Sequence, residues 1–89
     1  MEMTWEQLKV LATAERLSAE VLERQLGRGR DGELYLRMAR ASVRDGKLTE
    51  ALHYYDQAEM LGEDEAHAER RLVALHVGDF PLREDGSFA

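Results

Sequence analysis

Apolar residues recur along most of the chain at the three- and four-residue spacing of α-helices, and glycines separate the helical segments. Thr4 precedes the first segment as a candidate N-cap, and Gln7 stands three residues later, which is the spacing of a capping box. Gly27, Gly46 and Gly62 follow the first three segments, at positions typical of helix ends. The pattern predicts an all-α chain of four helices, which span residues 4–26, 33–45, 49–61 and 63–77.

The first predicted helix has an apolar arc that is wider than one neighbouring helix can cover. Its apolar side chains spread over more than half of the circumference, and Glu15 and Ser18 fall inside that arc. This arrangement predicts two adjacent contact surfaces with a partly wet boundary. We therefore expect part of the arc to contact a second copy of the chain. The residues assigned to this homodimer interface are Trp5, Leu8, Leu11 and Val21.

The second and third predicted helices carry small and large apolar residues that can interlock. In the third helix Tyr55 lies between Ala51 and Ala58 on one face, so a neighbouring helix can approach the alanines closely and receive the ring. The facing stripe of the second helix consists of Tyr35, Met38, Ala39 and Ser42. We expect the two helices to form an antiparallel hairpin with Tyr55 packed beside Ala39.

This hairpin resembles the tetratricopeptide repeat, a helix-turn-helix unit of about 34 residues. The resemblance covers residues 32–65, and its offsets agree without a gap. The matching positions are Tyr35, Met38, Ala39, Ser42, Gly46, Ala51, Tyr55 and Ala58. The chain departs from the repeat where Tyr35 replaces tryptophan, Ser42 replaces an aromatic residue and Glu63 replaces proline. The alternative is an ordinary antiparallel helix pair that uses alanine at its contacts.

The resemblance implies a TPR-like α-α superhelix of four helices, with one full repeat and flanking capping helices. The turn-like residues 78–80 resemble the turn inside a further repeat, so the fourth predicted helix is interpreted as a capping half-repeat. The predicted apolar face of this helix is Ala68, Leu72, Leu75 and His76. We expect one domain over residues 1–78 and a short flexible tail over residues 79–89. Since a single repeat cannot bury its own faces, we expect a homodimer or a stable complex.

The composition argues against several classes of function. The formal net charge of −6 argues against nucleic-acid binding, which depends on clustered Lys and Arg. The chain has no cysteine, which removes disulfides and thiolate zinc sites and suits a reducing cytoplasm. No apolar run approaches the roughly 18 residues of a membrane helix. We therefore expect a soluble, cytoplasmic protein that binds no membrane.

The sequence contains no motif typical of an enzyme. It lacks a cysteine nucleophile, a serine nucleophile elbow and a paired-histidine metal motif, so we predict no catalytic residue, cofactor or metal. His67 has helical ligand spacing to Glu63 and Asp64, but a solvated surface histidine is the preferred interpretation. The glycine-rich segment at residues 27–32 is interpreted as a helix connection rather than a phosphate loop, because no strand precedes it.

Three arginines on the second predicted helix form a basic stripe on an otherwise acidic protein. Arg37, Arg40 and Arg44 lie within about 60° of arc. In the resembled family the inner helix of the repeat faces the bound peptide, which implies that this side of the helix touches a ligand. The partner-binding residues implied in this way are Leu36, Arg37, Arg40, Val43 and Arg44. The alternative is a solvated face that is partly paired with Glu33 and Asp45.

The predicted function is a protein-binding module, either an adaptor or a chaperone-like scaffold. The expected partner is another protein or a peptide with acidic residues beside an apolar anchor, and residues 84–88 of a second copy are one candidate. The chain lacks the asparagines with which some tetratricopeptide proteins clamp a C-terminal carboxylate. The alternative function is a self-associating structural subunit whose first helix forms the homodimer interface.

Overall fold

The computed structural model describes residues 3–77, which form five α-helices and no strand. The helices are α1 (Trp5–Ala14), α2 (Ala19–Glu23), α3 (Asp31–Arg44), α4 (Leu48–Met60) and α5 (Asp64–Val77). The all-α prediction is confirmed for this range. The predicted turn at residues 78–80 and the predicted tail at residues 79–89 lie outside the described residues.

The predicted capping box at the start of α1 is confirmed. The Thr4 hydroxyl oxygen accepts a hydrogen bond from the Gln7 backbone N–H at 3.2 Å, and the Gln7 side-chain oxygen accepts one from the Thr4 N–H at 2.8 Å. The first backbone N–H groups of a helix have no partner within it, so these two bonds stabilise its beginning. Trp5 is therefore fixed as the first helical residue.

The prediction of one continuous helix over residues 4–26 is wrong. α1 ends at Ala14, residues 15–18 are not helical, and α2 begins at Ala19. Ser18 is the N-cap of α2, and its hydroxyl oxygen accepts a hydrogen bond from the Val21 N–H at 3.2 Å. A serine that bonds the backbone ahead of it offers the chain an alternative to continuing the preceding helix. This local bond favours a corner at residues 15–18.

The corner lets the wide apolar arc pack on α3 at two separate places. Leu8 and Ala12 of α1 lie in the main core together with residues of α3, α4 and α5. Leu22 of α2 lies in a second core with three residues of α3, which are Leu34, Met38 and Ala41. The apolar residues of the arc thus form two contact surfaces, as the width of the arc predicts, but one surface lies on α1 and the other on α2.

α3 and α4 form the predicted helical hairpin, and each of their boundaries lies within two residues of the prediction. Gly46 in the turn has a φ of 76°, in the left-handed region that glycine adopts without strain. The Lys47 N–H donates a hydrogen bond to the Ser42 carbonyl oxygen at 2.8 Å, the bond that closes a Schellman motif. The turn is therefore specified locally.

The predicted seam of this hairpin is confirmed, except that Met38 of the facing stripe lies in the second core with Leu22 of α2. Its fully buried residues, which share one core cluster, are Ala39, Ala51, Tyr55 and Ala58. Ser42, at the position where the repeat has an aromatic residue, is also buried, and its hydroxyl donates a hydrogen bond to the Met38 carbonyl oxygen at 3.0 Å. The serine thus satisfies its own hydrogen-bonding needs within α3.

The predicted inward face of α5 is wrong. The predicted contact residues Ala68, Leu75 and His76 are exposed, and Leu72 is half-buried. The residues that α5 buries are Ala66, Glu69, Val73 and Ala74. Because the buried face contains a glutamate, the pattern of apolar residues predicts that the opposite side of the helix is the buried one. α5 therefore has a partly apolar face on each side.

Candidate functional site

All three arginines of the predicted stripe bind partners within the chain. The Arg37 guanidinium forms a bidentate pair with the Glu15 carboxylate, with 3.1 Å between Nη2 and Oε2. Arg44 donates hydrogen bonds to the carbonyl oxygens of Glu15 and Leu17, the latter at 3.2 Å, and to the Asp45 carboxylate at 2.9 Å. Two of the arginines thus hold the corner between α1 and α2 against α3.

The corner is also where the pKa of a carboxyl group is shifted. Burial acts to raise the pKa of the Glu15 carboxyl, but the hydrogen bond and positive charge of Arg37 outweigh burial and lower that pKa. The hydrogen bond that Arg37 donates to Glu15 in turn raises the pKa of the Arg37 guanidinium. Both groups are therefore charged near neutral pH, and the pair stabilises the non-helical residues 15–18.

Arg40, in the middle of the stripe, binds a carboxylate that is completely buried. Its Nε and Nη2 donate to Oε1 and Oε2 of Glu69 at 2.9 and 2.6 Å, and the Tyr55 hydroxyl donates to Oε1 at 3.0 Å. Burial raises the pKa of the Tyr55 hydroxyl, and the adjacent Glu69 carboxylate raises it further, so the phenol stays a donor. This Arg40–Glu69–Tyr55 network joins α3, α5 and α4.

Glu69 is the residue of this network that the sequence analysis missed. It stands three residues after Ala66 and four before Val73, so it shares their helical face. That spacing is a usable signal, because Ala66 and Val73 are both fully buried. The signal is ambiguous, however, since the opposite stripe contains as many apolar residues, two of them leucines, and no carboxylate. Only the position of Arg40 in the fold decides between the two faces.

The structure corrects the predicted environment of the stripe. Leu36 and Val43 retain only 4 and 7% of their accessible surface and lie in the main core, so they do not stand on a ligand-facing surface. Of the pairs expected for a solvated face, Arg44–Asp45 is present, whereas Glu33 lies near Arg30 at 3.8 Å. This side of α3 is covered by the α1–α2 corner and by α5.

The predicted homodimer residues of the first segment do not form one free surface. Leu8 is fully buried, Leu11 is half-buried and Val21 is exposed on α2. The Trp5 ring stacks on the His76 ring, with 3.9 Å between their centroids and 11° between their planes. Trp5 and Leu8 therefore hold α1 against the rest of the chain. The predicted homodimer interface would instead require these side chains to be free on the surface.

The outward face of α5 forms an open apolar groove. Ala68, Leu72 and Leu75 line it, together with Met3 at the start of α1, and its volume is about 560 Å³. Leu75 is 52% exposed. The polar residues at the edges of the groove are Glu65, His67 and Arg71. The face that the sequence predicts for packing is thus apolar, as expected, but no other described element covers Ala68 and Leu75.

The other sites that the sequence raised are engaged in ordinary contacts. The His67 ring lies 2.9 Å from the Glu59 carboxylate across the α4–α5 pair, and Arg70 binds the same carboxylate at 3.1 Å. Within residues 3–77 no group of three histidine, aspartate or glutamate side chains is placed to hold a metal ion. In the glycine-rich segment the Gly27 N–H donates to the Asp31 carboxylate at 2.8 Å, which closes the helix connection.

No helix in the described part of the chain is both long and apolar enough to cross a membrane. Every buried side-chain nitrogen or oxygen atom in residues 3–77 has a hydrogen-bond partner. Residues 3–77 therefore contain no candidate for a site that uses an unpaired buried polar group. Within this range, the main surface that no other helix covers is the outward face of α5.

Comparison with known proteins adds no relative. No family model, no curated protein and no solved structure matches this chain. The resemblance to the tetratricopeptide repeat thus stays a prediction that rests on residues 32–65 alone.

Proposed function

We propose that this protein is a protein-binding helical module and that its binding surface is the outward face of α5. The observation that carries the proposal is a helix with apolar residues on opposite sides. One side is buried against the hairpin, and the other exposes Ala68 and Leu75 beside the half-buried Leu72. A helix that is apolar on both sides is typical of an element between two neighbours. In the described chain α5 has neighbours on one side.

Elsewhere in residues 3–77 the exposed apolar residues do not form a comparable surface. Val10 is 70% exposed, but the other residues at its shallow depression are mostly polar or charged. Met60 and Leu61 are exposed at the end of α4. Isolated exposed apolar residues are normal on protein surfaces, whereas several around one groove indicate a binding site.

The geometry of the groove suits an apolar segment of another polypeptide. Ala68, Leu72 and Leu75 follow one another at steps of four and three residues, so they form one stripe along the helix. A small residue in such a stripe allows close approach, and the leucines supply apolar area, as in the recognition of a helix in a groove. The function that this supports is an adaptor or scaffold, with self-association as the alternative.

The arginine stripe is less suited to be the primary binding surface. Arg37, Arg40 and Arg44 each hold internal oxygen acceptors, so an external ligand would have to replace those bonds. Breaking the Arg40 pair would leave the fully buried carboxylate of Glu69 without its cation. A partner at this stripe would therefore have to open the fold, which a partner on α5 would not.

The proposal is tested with a photo-crosslinking amino acid in place of Ala68 and, as a control, in place of Glu23 on α2. Both residues are exposed, and α2 packs on α3 rather than on α5. We expect a polypeptide to be crosslinked in cells from position 68 and not from position 23. Equal crosslinking from both positions, or none from position 68, would contradict the proposal.

A matched pair of substitutions separates binding from folding. Leu75→Glu places a charge in the groove, whereas Val10→Glu places the same charge at an exposed apolar residue of α1. Because both side chains are exposed, each change should alter the free energy of unfolding by less than about 0.5 kcal/mol. Only Leu75→Glu should abolish the crosslink from position 68.

A further inference from the structure

We propose that residues 79–89 of the same chain fold back along α5 and occupy its outward face until a partner displaces them. This inference rests on the proposed function and names a regulator of the same surface, namely an autoinhibitory segment that competes with the partner for the groove. It gives the tail a docking site, whereas the sequence alone predicts a flexible tail.

The residues that follow α5 repeat the local order that reverses the chain after α3. A glycine, a polar residue and an apolar residue occupy positions 46–48, and α4 then packs back on α3. The same order recurs at positions 78–80, directly after the last residue of α5. Because glycine after a helix end favours the left-handed conformation that stops the helix, this order favours a reversal of the chain there as well.

Residues 3–77 leave one side of α5 open to a segment that turns back in this way. The inner side is buried against the hairpin, and the Trp5–His76 stack places α1 beside the end of the helix. Along a further edge, Asp56 and Glu59 of α4 bind Arg70. A segment that reverses after α5 therefore runs over the outward face.

The tail is long enough to cover the groove. Ala68 lies nine positions before Val77, which corresponds to about 14 Å of helix. Six residues of extended chain span about 20 Å, so half of the twelve residues at positions 78–89 reach past Ala68. Twelve helical residues would span about 18 Å, which also suffices. The docking site thus lies within reach of the tail in either conformation.

The side chains of the tail suit those of the groove. Phe80 and Leu82 are its first apolar residues, and they can cover the groove residue Leu75, which is 52% exposed. Arg71 at the edge of the groove forms no ion pair with another residue of the range 3–77. The residues at positions 84–85 are both acidic and follow the apolar pair. The tail therefore offers apolar area together with a counter-charge for Arg71.

Covalent attachment makes such a segment an effective competitor. A short linker holds the tail near the groove at an effective concentration of about 1 mM. A segment that would bind only weakly as a separate peptide therefore occupies the groove in a large share of the molecules. The apparent affinity for a partner falls in proportion to the share of molecules whose groove is free.

The first test places the photo-crosslinking amino acid at position 68 of the purified chain of residues 1–89, without any partner. We expect an intramolecular crosslink to residues 79–89, which mass spectrometry of the digested monomer identifies. Its yield should be about fivefold or more above the yield from position 23 on α2, because docking concentrates the tail at the groove. Equal yields from the two positions would overturn the docking site.

A matched pair of tail variants tests whether apolar contacts hold the tail. Phe80→Ser combined with Leu82→Ser should lower the intramolecular crosslink from position 68 by about fivefold or more, because the apolar area that the groove covers is lost. Ser87→Ala should leave the yield within about twofold of the wild type. An undiminished crosslink in the double variant would overturn the proposed contacts. Circular dichroism of each variant establishes that the helices are retained.

The same double variant tests the competition with a partner. In cells, the crosslink from position 68 to another polypeptide should rise about threefold in Phe80→Ser with Leu82→Ser, because the groove is then free in more of the molecules. A yield equal to or below that of the wild type would overturn the competition.

The outcomes separate this inference from the proposed function. A crosslink to another polypeptide in cells, without an intramolecular crosslink in the purified chain, would overturn the docked tail and leave the binding face. An intramolecular crosslink without any crosslink to another polypeptide, in the wild type and in the double variant alike, would support the docked tail and overturn the proposed function.

Discussion

Removing the Glu69 carboxylate should be among the most destabilising single changes in this protein. In Glu69→Ala the Arg40 guanidinium loses two charge-assisted hydrogen bonds, of 2.9 and 2.6 Å, and the Tyr55 hydroxyl loses its acceptor at 3.0 Å. Tyr55 is fully buried and cannot turn to water for a replacement. The substitution also leaves a cavity among the three helices that meet there.

The magnitude follows from the burial of the two partners. Removing one member of a buried ion pair costs about 3 to 5 kcal/mol. The Arg40 side chain keeps 20% of its accessible surface and can recover some hydration, so the lower end, about 3 kcal/mol, is expected. A chain of 89 residues has a free energy of unfolding of about 4 to 13 kcal/mol. At several degrees for each kcal/mol, the melting temperature should fall by about 15 °C.

Urea unfolding followed by circular dichroism measures this change, with Glu65→Ala as the matched control. Glu65 is an exposed glutamate on the same helix, and its removal should alter stability by less than about 0.5 kcal/mol. A triple variant, Arg40→Met with Glu69→Leu and Tyr55→Phe, should recover much of the loss because neither a buried charge nor a buried hydroxyl is left unpaired. If Glu69→Ala unfolds at the same urea concentration as Glu65→Ala, the buried network does not stabilise the fold.

Three further changes test other parts of the fold. Ala58→Leu should overpack the fully buried hairpin seam and lower the free energy of unfolding by about 1 to 3 kcal/mol, and a neutral result in urea would contradict the seam. Arg37 lowers the pKa of the Glu15 carboxyl in the folded state. The carboxylate therefore stabilises the fold at pH values above the ordinary glutamate pKa of 4.5, and this stabilisation is lost as the pH falls through the lowered pKa of the folded state. In melts at different pH, Glu15→Gln should reduce the loss of stability at acid pH. His76→Ala should alter the fluorescence of Trp5, the only tryptophan, and cost about 0.5 to 1.5 kcal/mol; unchanged emission would argue against the stack.

The features that sequence predicted correctly are those fixed by neighbouring residues. The capping box of Thr4 and Gln7, the turn at Gly46 and the seam around Tyr55 each depend on spacings of a few residues. Such local signals can be recognised in the sequence because helix periodicity and turn chemistry act over one or two turns. The hairpin boundaries were therefore predictable to within two residues.

The features that sequence missed depend on pairs that are distant along the chain. Arg37 binds Glu15 across 22 residues, and Arg40 binds Glu69 across 29. Nothing in the periodicity of either segment indicates that such charges meet. The corner before Ser18 depends partly on such a pair: besides the local Ser18 cap, Arg44 supplies donors to the carbonyl oxygens of Glu15 and Leu17 that the interrupted helix leaves free. The apolar pattern by itself predicts that the helix continues through residues 15–18.

The buried network and the outward face of α5 are separable, which makes the binding proposal testable by substitution. The Arg40–Glu69–Tyr55 network holds the inner side of α5, and the groove residue Leu75 is exposed on the other side. A change at Leu75 therefore leaves the contacts that fix α5 intact, whereas a change at Glu69 weakens the fold and leaves the groove chemistry unaltered. Because the two faces respond to different substitutions, loss of binding in Leu75→Glu with an unchanged melting temperature would assign the function to the outward face rather than to the stability of the helix.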